Sequence, residues 1–391
     1  MEGDFIKIND WLLPLSWIYG AGVRLRNQMF EMGMLKSRSF DIPVISVGNI
    51  TVGGSGKTPH VEYLINLLRD KVKVAVLSRG YKRKCKGYML ATADTPMSDI
   101  GDEPYQMKKK FADIYVAVDK DRCHGIDQLT ANEETSDTDV ILLDDAYQHR
   151  YVKPGVNILL VDYHRLIMYD KLLPAGRLRE PQKGKARADI VIVSKCPAEL
   201  KPMEFRVITK AMNLFPYQKL YFTTLKYGSL RPIYGGEDRK LDTLTGDTSI
   251  LLLTGIASPQ QMIVDLKPYT ERITPLTFPD HHQYTDADID RINAEFEAMK
   301  GNDKMIVTTE KDNARLCGME GLSDEVKKNI YVLPVEVGFM LDQEEDFNEN
   351  IIGYVRKNSR NSILAKAKDD NKSDNSDNSG NRTRTISFRN N

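Results

Sequence analysis

An α/β protein built on a parallel sheet is the fold the sequence predicts, and three observations predict it. Short β-branched or aliphatic runs bounded by turn residues recur at 43–47, 72–78, 114–118, 140–143, 157–161 and 189–194, with helical-length stretches between several of them. The glycine-rich run Gly53-Gly54-Ser55-Gly56-Lys57-Thr58 follows soon after the first of these and directly precedes the amphipathic stretch 61–69. After 217–226, which reads as a strand leaving the first unit, the pattern restarts at 249–255, 304–308 and 330–337, with helical stretches such as 286–300 between. A second, smaller α/β domain is therefore expected.

Length and composition agree with that division. The chain has 391 residues, and domains of roughly 100 to 200 residues make two units the natural count. With 41% apolar and 28% charged residues, neither wholesale disorder nor a multi-span membrane protein fits. Lys plus Arg and Asp plus Glu both total 55, so no net field would hold the chain on nucleic acid. Any anion specificity must be local. Cys85, Cys123, Cys196 and Cys317 are far apart and lack metal-ligand spacing, which suits a reducing compartment. Glu2, Asp4 and Asp10 stand where a signal peptide would be basic, so a cytoplasmic location is expected.

The N-terminal segment, residues 1–35, qualifies that location. Its apolar run from Trp11 ends near Tyr19, short of the roughly 20 residues a membrane span needs. Trp11, Trp17 and Tyr19 with Arg24 and Arg26 suit a helix lying in a membrane interface, and a buried core helix is the alternative. At the other end, 366–391 is rich in Ser, Asn and Asp and is expected to be disordered.

The strongest local signal is the glycine-rich run. In a phosphate loop, glycines let backbone N–H groups turn inward around phosphates, the Lys offsets the β and γ oxygens, and the Thr hydroxyl ligates magnesium at a helix N-terminus. Gly53, Gly54, Ser55, Gly56, Lys57 and Thr58 fit those roles, although Thr51 stands where the general pattern has a glycine. The first domain is therefore expected to be P-loop NTPase-like, binding a nucleoside triphosphate with Mg2+. A second magnesium contact comes from an Asp at the end of a neighbouring apolar strand, and Val140-Ile141-Leu142-Leu143-Asp144-Asp145 supplies two. Adjacent residues at a strand end point to opposite sides. Asp144 is favoured for the metal, with Asp145 as its coupled partner.

The stretch 46–59, including Thr51, resembles the phosphate loop of the tetraacyldisaccharide 4′-kinases of lipid A biosynthesis. Ser78-Arg79-Gly80-Tyr81, Gly101-Asp102-Glu103-Pro104, Asp121-Arg122, the run 144–150, Leu178-Arg179-Glu180-Pro181, Asp280-His281-His282 and Thr309-Glu310-Lys311-Asp312 match that family's segments in order, over about residues 10 to 340. Ala146-Tyr147 replaces the family's usual Gly-Phe, and Arg177 its usual Pro. The resemblance implies ATP-dependent phosphorylation of the 4′-hydroxyl of a lipid A disaccharide 1-phosphate at the cytoplasmic face of the inner membrane, by a peripheral enzyme. It implies two Rossmann-like domains: a kinase domain over 36–217, a linker strand at 218–228 and a smaller domain over 229–345, with the site between them. Residues 171–187 carry six basic side chains against Glu180 alone, which suits an anionic headgroup or simply a solvated loop.

Phosphoryl transfer to a sugar hydroxyl needs positioning, charge neutralisation and a carboxylate to accept the proton. By resemblance that base is Asp102, with His281 orienting it from the second domain. Arg122 is expected to stabilise charge on the transferring group, or else to form a surface salt bridge. Gln148 and His149 follow the paired aspartates closely enough to reach phosphate or metal, and Glu180 is a candidate for magnesium or substrate. The rival from another class is a P-loop GTPase-type switch acting on a protein partner, since 309–312 loosely matches a guanine-reading motif with its Lys displaced by one position.

Overall fold

The computed structural model describes residues 8–256, 259–280, 282–301, 303–316 and 319–359. His281 and the tail at 366–391, for which a role and disorder were expected, lie outside the described residues.

From the N-terminus, α1 (Leu13–Glu31) precedes β1 (Val44–Asn49), α2 (Lys57–Leu68) and β2 (Val74–Ser78). Next come β3 (Met89–Leu90), α3 (Met97–Ile100), α4 (Asp102–Lys110), β4 (Tyr115–Val118), α5 (Arg122–Ala131), β5 (Val140–Asp144) and β6 (Val156–Asp162). They are followed by β7 (Ile190–Ser194), α6 (Pro202–Met212), β8 (Lys219–Tyr227) and β9 (Arg231–Pro232). The second unit continues with β10 (Ser249–Thr254), α7 (Gln260–Leu266), β11 (Ile273–Thr277), α8 (Asp286–Ala298), β12 (Lys304–Thr309) and α9 (Glu310–Leu316). Last are α10 (Asp324–Asn329), β13 (Ile330–Leu333), β14 (Val335–Phe339) and α11 (Glu344–Asn358).

Two sheets result. The larger has nine strands in the order β14-β8-β7-β6-β1-β5-β2-β4-β3, parallel except for its two edge strands. The smaller has five, β11-β10-β12-β13-β9, with only β9 antiparallel. Every residue of β1 is buried, the pattern of a strand covered on both faces. One covering layer is α2, whose Val61, Leu64, Ile65 and Leu68 repeat at helical spacing and face the core. The other face is covered by α5 over β1, β2, β4 and β5, and by α6 and the excursion around 163–187 over β6 to β8.

The expected strand at 330–337 is two strands in two sheets. β13 pairs with β12, whereas β14 crosses back to lie antiparallel to β8. Pro334 separates them, and having no N–H it cannot continue a ladder. α11 then returns Phe347, Ile351 and Val355 to the core of the larger sheet.

Candidate active site

Strand ends carry the polar residues. β1 sits between β5 and β6, and the loop after Asn49 leads into α2. Gly56, at φ +78°, occupies the left-handed region just before Lys57, a conformation costly for any residue with a Cβ. The first half of the loop is stitched to a neighbouring segment: Val52 N–H donates to the Arg177 carbonyl at 2.8 Å and Arg179 N–H to the Ile50 carbonyl at 2.7 Å.

If loop amides are to face phosphates, their carbonyls must turn outward and find donors. They do. Lys195 Nζ donates to the Gly54 carbonyl, Ser194 Oγ to that of Ser55 at 2.9 Å, and His60 Nδ1 to that of Gly56 at 2.7 Å. Asn49 Nδ2 holds Ser55 Oγ at 2.7 Å. Burial pushes the His60 imidazole down to about 4, so it is neutral, with Nε2 placed 3.0 Å from Thr223 Oγ1. Lys195 is itself left-handed, at φ +59°, and its ammonium also reaches Asp162 at 2.9 Å. None of the three was singled out in the sequence: Ser194 and Lys195 reach the loop from the end of β7, while His60 turns back on it from the first turn of α2.

Asp144 ends β5 and is wholly buried, with Oδ2 accepting from Ser78 Oγ at 3.2 Å. Its Oδ1 is buried and has no hydrogen-bond partner. Burial, then the neighbouring carboxylates of Glu103 and Asp145, raise its carboxyl to about 7. Asp145, at φ +48°, points elsewhere, 3.5 Å from Lys57 Nζ and 3.4 Å from Arg179 Nη1. Burial works to raise it, but Lys57 and Arg179 outweigh that and hold it below the usual carboxylate range. The two aspartates thus differ in environment as strand-end neighbours should.

Arg122 is buried, not a surface salt bridge. Its guanidinium donates to the carbonyls of Asp119 and Asp144 at 3.1 and 3.3 Å, and burial lowers it to about 10. His149 lies nearby, lowered to about 4 by burial and by Arg122, with Nε2 3.9 Å from Asp121 Oδ1. Gln148 donates to the Asn49 carbonyl at 2.6 Å and to Glu180 at 3.1 Å. Glu180 is buried, and its carboxylate is engaged by Arg187 at 2.8 and 3.0 Å. Arg179 touches both Asp145 and Gln148; it lay within the Leu-Arg-Glu-Pro segment but was given no role of its own.

Asp102 begins α4, and Arg315 of α9 reaches it from the other sheet, with Nε and Nη2 at 2.9 and 2.6 Å from Oδ2. Arg315 is held in turn by Asp312 and the Gly255 carbonyl, both at 3.1 Å. Beside this pair Lys311 contacts Glu103 and Asp280, and Lys110 bridges Glu62 and Glu310. The 309–312 run therefore joins the two sheets, and Asp312, the residue a guanine-reading motif would use, holds Arg315 instead. Gln283, two residues past His281, lines a cavity of about 70 Å³ together with Asp102.

α1 lies over the same end of the larger sheet. Ser16 Oγ donates to the Leu172 carbonyl at 3.0 Å, Tyr19 OH to that of Arg179 at 2.8 Å and Arg26 to that of Gln148 at 3.3 Å. Only Ser16, Gly20 and Phe30 of this helix are buried, while Trp17 is 68% and Ile18 72% exposed. Between α1 and the basic stretch is an open cavity of about 770 Å³, reached by Trp17, Arg24, Lys171, Lys183 and Arg187. Among the described residues no helix is long and apolar enough to cross a membrane.

Known proteins resemble this chain in sequence and fold. The profile of the family described as tetraacyldisaccharide-1-P 4′-kinase matches residues 8–356. The chain is 60% identical over 363 residues to a tetraacyldisaccharide 4′-kinase of Phocaeicola vulgatus, covering 93% of this chain and 99% of that one. It is 54% identical over 377 residues to the Bacteroides fragilis enzyme of the same name, covering 95% and 100%. Among solved structures it resembles LpxK from Aquifex aeolicus in complex with ATP, with a TM-score of 0.66, 31% identity, and 88% and 98% of the two chains covered.

Proposed function

The chain belongs to the tetraacyldisaccharide 4′-kinase family, a family of ATP-dependent enzymes that phosphorylate the 4′-hydroxyl of tetraacyldisaccharide 1-phosphate in lipid A biosynthesis, and from that premise we propose how its residues divide the work. The observation that carries the division is the meeting, at one end of the larger sheet, of the phosphate loop, the paired aspartates and the N-terminus of α4 with Asp102.

Gly53, Gly54, Ser55 and Gly56 form the loop that encloses the triphosphate of ATP, its turn held by the Ser55 N–H on the Gly53 carbonyl at 3.1 Å, and Lys57 neutralises the terminal oxygens. Thr58, Asp144 and Asp145 are the residues to hold Mg2+, and the buried, unpartnered Oδ1 of Asp144 fits that use. A bound magnesium ion supplies positive charge that offsets the β and γ phosphates. Arg122 adds positive potential from beneath Asp144. Gln148 and His149 border the same place, and Glu180 orients Gln148 and Arg187. Asp102 accepts the proton of the 4′-hydroxyl as the new O–P bond forms, and His281 orients it.

The acceptor is a lipid, and the exposed aromatic and aliphatic face of α1 beside the basic cavity supports peripheral attachment at the cytoplasmic face of the inner membrane. The disaccharide headgroup is assigned to the side of the site next to that cavity.

The assay incubates the protein with γ-labelled ATP, magnesium and disaccharide 1-phosphate lipid in detergent and follows label onto the lipid. Lys57→Ala should lower turnover about 10²- to 10³-fold with the fold intact. Near-normal turnover would remove the phosphate loop from the mechanism.

A further inference from the structure

One exposed surface has no part in the account above. On α6 and the turn after it, Met203 is 65% exposed, Val207 39%, Phe215 48% and Tyr217 60%. The Phe215 and Tyr217 rings stack, with centroids 5.6 Å apart and planes 7° from parallel. Tyr217 is pinned by its hydroxyl, which donates to the Ala186 carbonyl at 2.7 Å. Lys201, Arg206 and Lys210 are exposed around these residues. Glu199 is exposed beside them and the Glu204 carboxylate accepts from the Lys201 N–H at 3.0 Å, so three cations against two carboxylates leave the stretch a net charge of +1.

The inner side of α6 fixes which way this surface faces. Phe205, Ile208 and Met212 join the same core layer as Leu166, Ile167 and Leu178. That layer carries the segment on which α1 is docked through Ser16 and Leu172. α1, over the end of the nine-stranded sheet, and α6, on its adjoining face, therefore flank the same 166–178 segment. Ala186, which Tyr217 holds, also lines the cavity under α1.

We propose that α6 with the Phe215–Tyr217 pair is a second membrane-docking element, seated on an anionic bilayer beside α1. Aromatic rings at headgroup depth with flanking Lys and Arg are what such a surface selects. A single interfacial helix leaves rotation about its own axis free, whereas two separate contacts define a plane. The second contact would turn the cavity toward the lipid layer that contains the substrate. This inference rests on the peripheral reading of α1.

The test is vesicle flotation of the full chain on phosphatidylethanolamine–phosphatidylglycerol vesicles, with phosphatidylcholine vesicles as the neutral control. Three proteins are compared: wild type, Met203→Ser/Val207→Ser/Phe215→Ser, and Trp11→Ser/Trp17→Ser. The α6 variant should lose on the order of tenfold in partitioning to anionic vesicles. Its thermal midpoint and its turnover on detergent-dispersed substrate should stay near wild type, and turnover on vesicle-embedded substrate should fall. If only the α1 variant loses binding, the proposal fails while the peripheral reading stands. If neither loses binding, both fail. If the α6 variant instead converts a dimer to a monomer in light scattering, the surface is a contact between copies of the chain and the proposal is overturned. Arg206→Glu/Lys210→Glu should weaken anionic binding and flatten its salt dependence; an unchanged salt profile counts against the proposal.

Discussion

Arg315 of α9 and Asp102 of α4 tie the two sheets together through one carboxylate oxygen, with Nε at 2.9 Å and Nη2 at 2.6 Å from the same Oδ2. The guanidinium is almost fully buried, so the contact is dry and geometrically defined. The residue proposed to accept the sugar proton is thus aimed by the second unit.

Arg315→Lys keeps the charge but cannot reproduce the fork. Turnover should fall roughly 10- to 100-fold while the Michaelis constant for ATP holds, since the defect lies in aiming the base. Arg315→Ala is the poorer probe, because removing one member of a buried pair costs about 3–5 kcal/mol and threatens the fold. Unchanged turnover in the Lys variant would show that the fork is structural only.

Asp102→Ala should lower turnover on the order of 10²- to 10⁴-fold with little change in ATP affinity. If His281 acts through Asp102, the double variant with His281→Ala should be hardly worse than Asp102→Ala alone. Multiplicative losses in steady-state assays would assign the two residues to separate steps.

Asp144 makes the pH dependence specific. Its carboxyl is raised from 3.8 to about 7, so the folded protein binds this proton more tightly than the unfolded chain does. Its contribution to stability is therefore full below 3.8 and is lost as pH rises to about 7. Without nucleotide or magnesium, Asp144→Asn should gain thermal stability over wild type across that interval and hold the gain above it. Because a metal ligand must be ionised, magnesium affinity in the wild type should climb with pH and level off above about 7. Calorimetry showing pH-independent binding across the interval would contradict the metal assignment.

Lys195 allows its side chain and its backbone to be tested apart. Lys195→Gly relieves the left-handed strain and Lys195→Ala does not, yet both remove the donor to the Gly54 carbonyl. If the donor shapes the loop, both variants should raise the Michaelis constant for ATP about tenfold with turnover on saturating ATP little changed. A normal constant in the Gly variant alone would place the role in the backbone.

The elements around this site that the sequence placed are those whose cause is local. The phosphate loop needs glycines, a Lys and a following helix within a dozen residues, and β1 and α2 stand where those demands put them. The place of Asp144 at the end of β5 was legible because an apolar run ended on it. Arg315 and Lys195 were not, since each acquires meaning only from a partner more than a hundred residues away. β14 was hidden differently: alternation along 330–337 reports a strand but not which sheet it joins. α11 does carry a signal, with Phe347, Ile351 and Val355 at helical spacing, but these residues lie beyond 345, where the expected second unit ends.

The return of β14 and α11 to the larger sheet sets an order of assembly. The chain leaves at Tyr227 and comes back at Val335, its register partner, with Gly228 N–H on the Pro334 carbonyl at 3.0 Å, so the whole five-stranded unit is an insertion between adjacent strands. During synthesis the strands of the nucleotide half emerge first, but its far edge and the side chains of Phe347, Ile351 and Val355 arrive last. A nascent chain stalled inside the insertion therefore exposes the unpaired edge of β8 and an unfilled core, and the half that binds nucleotide matures only after the half that aims Asp102 has been made.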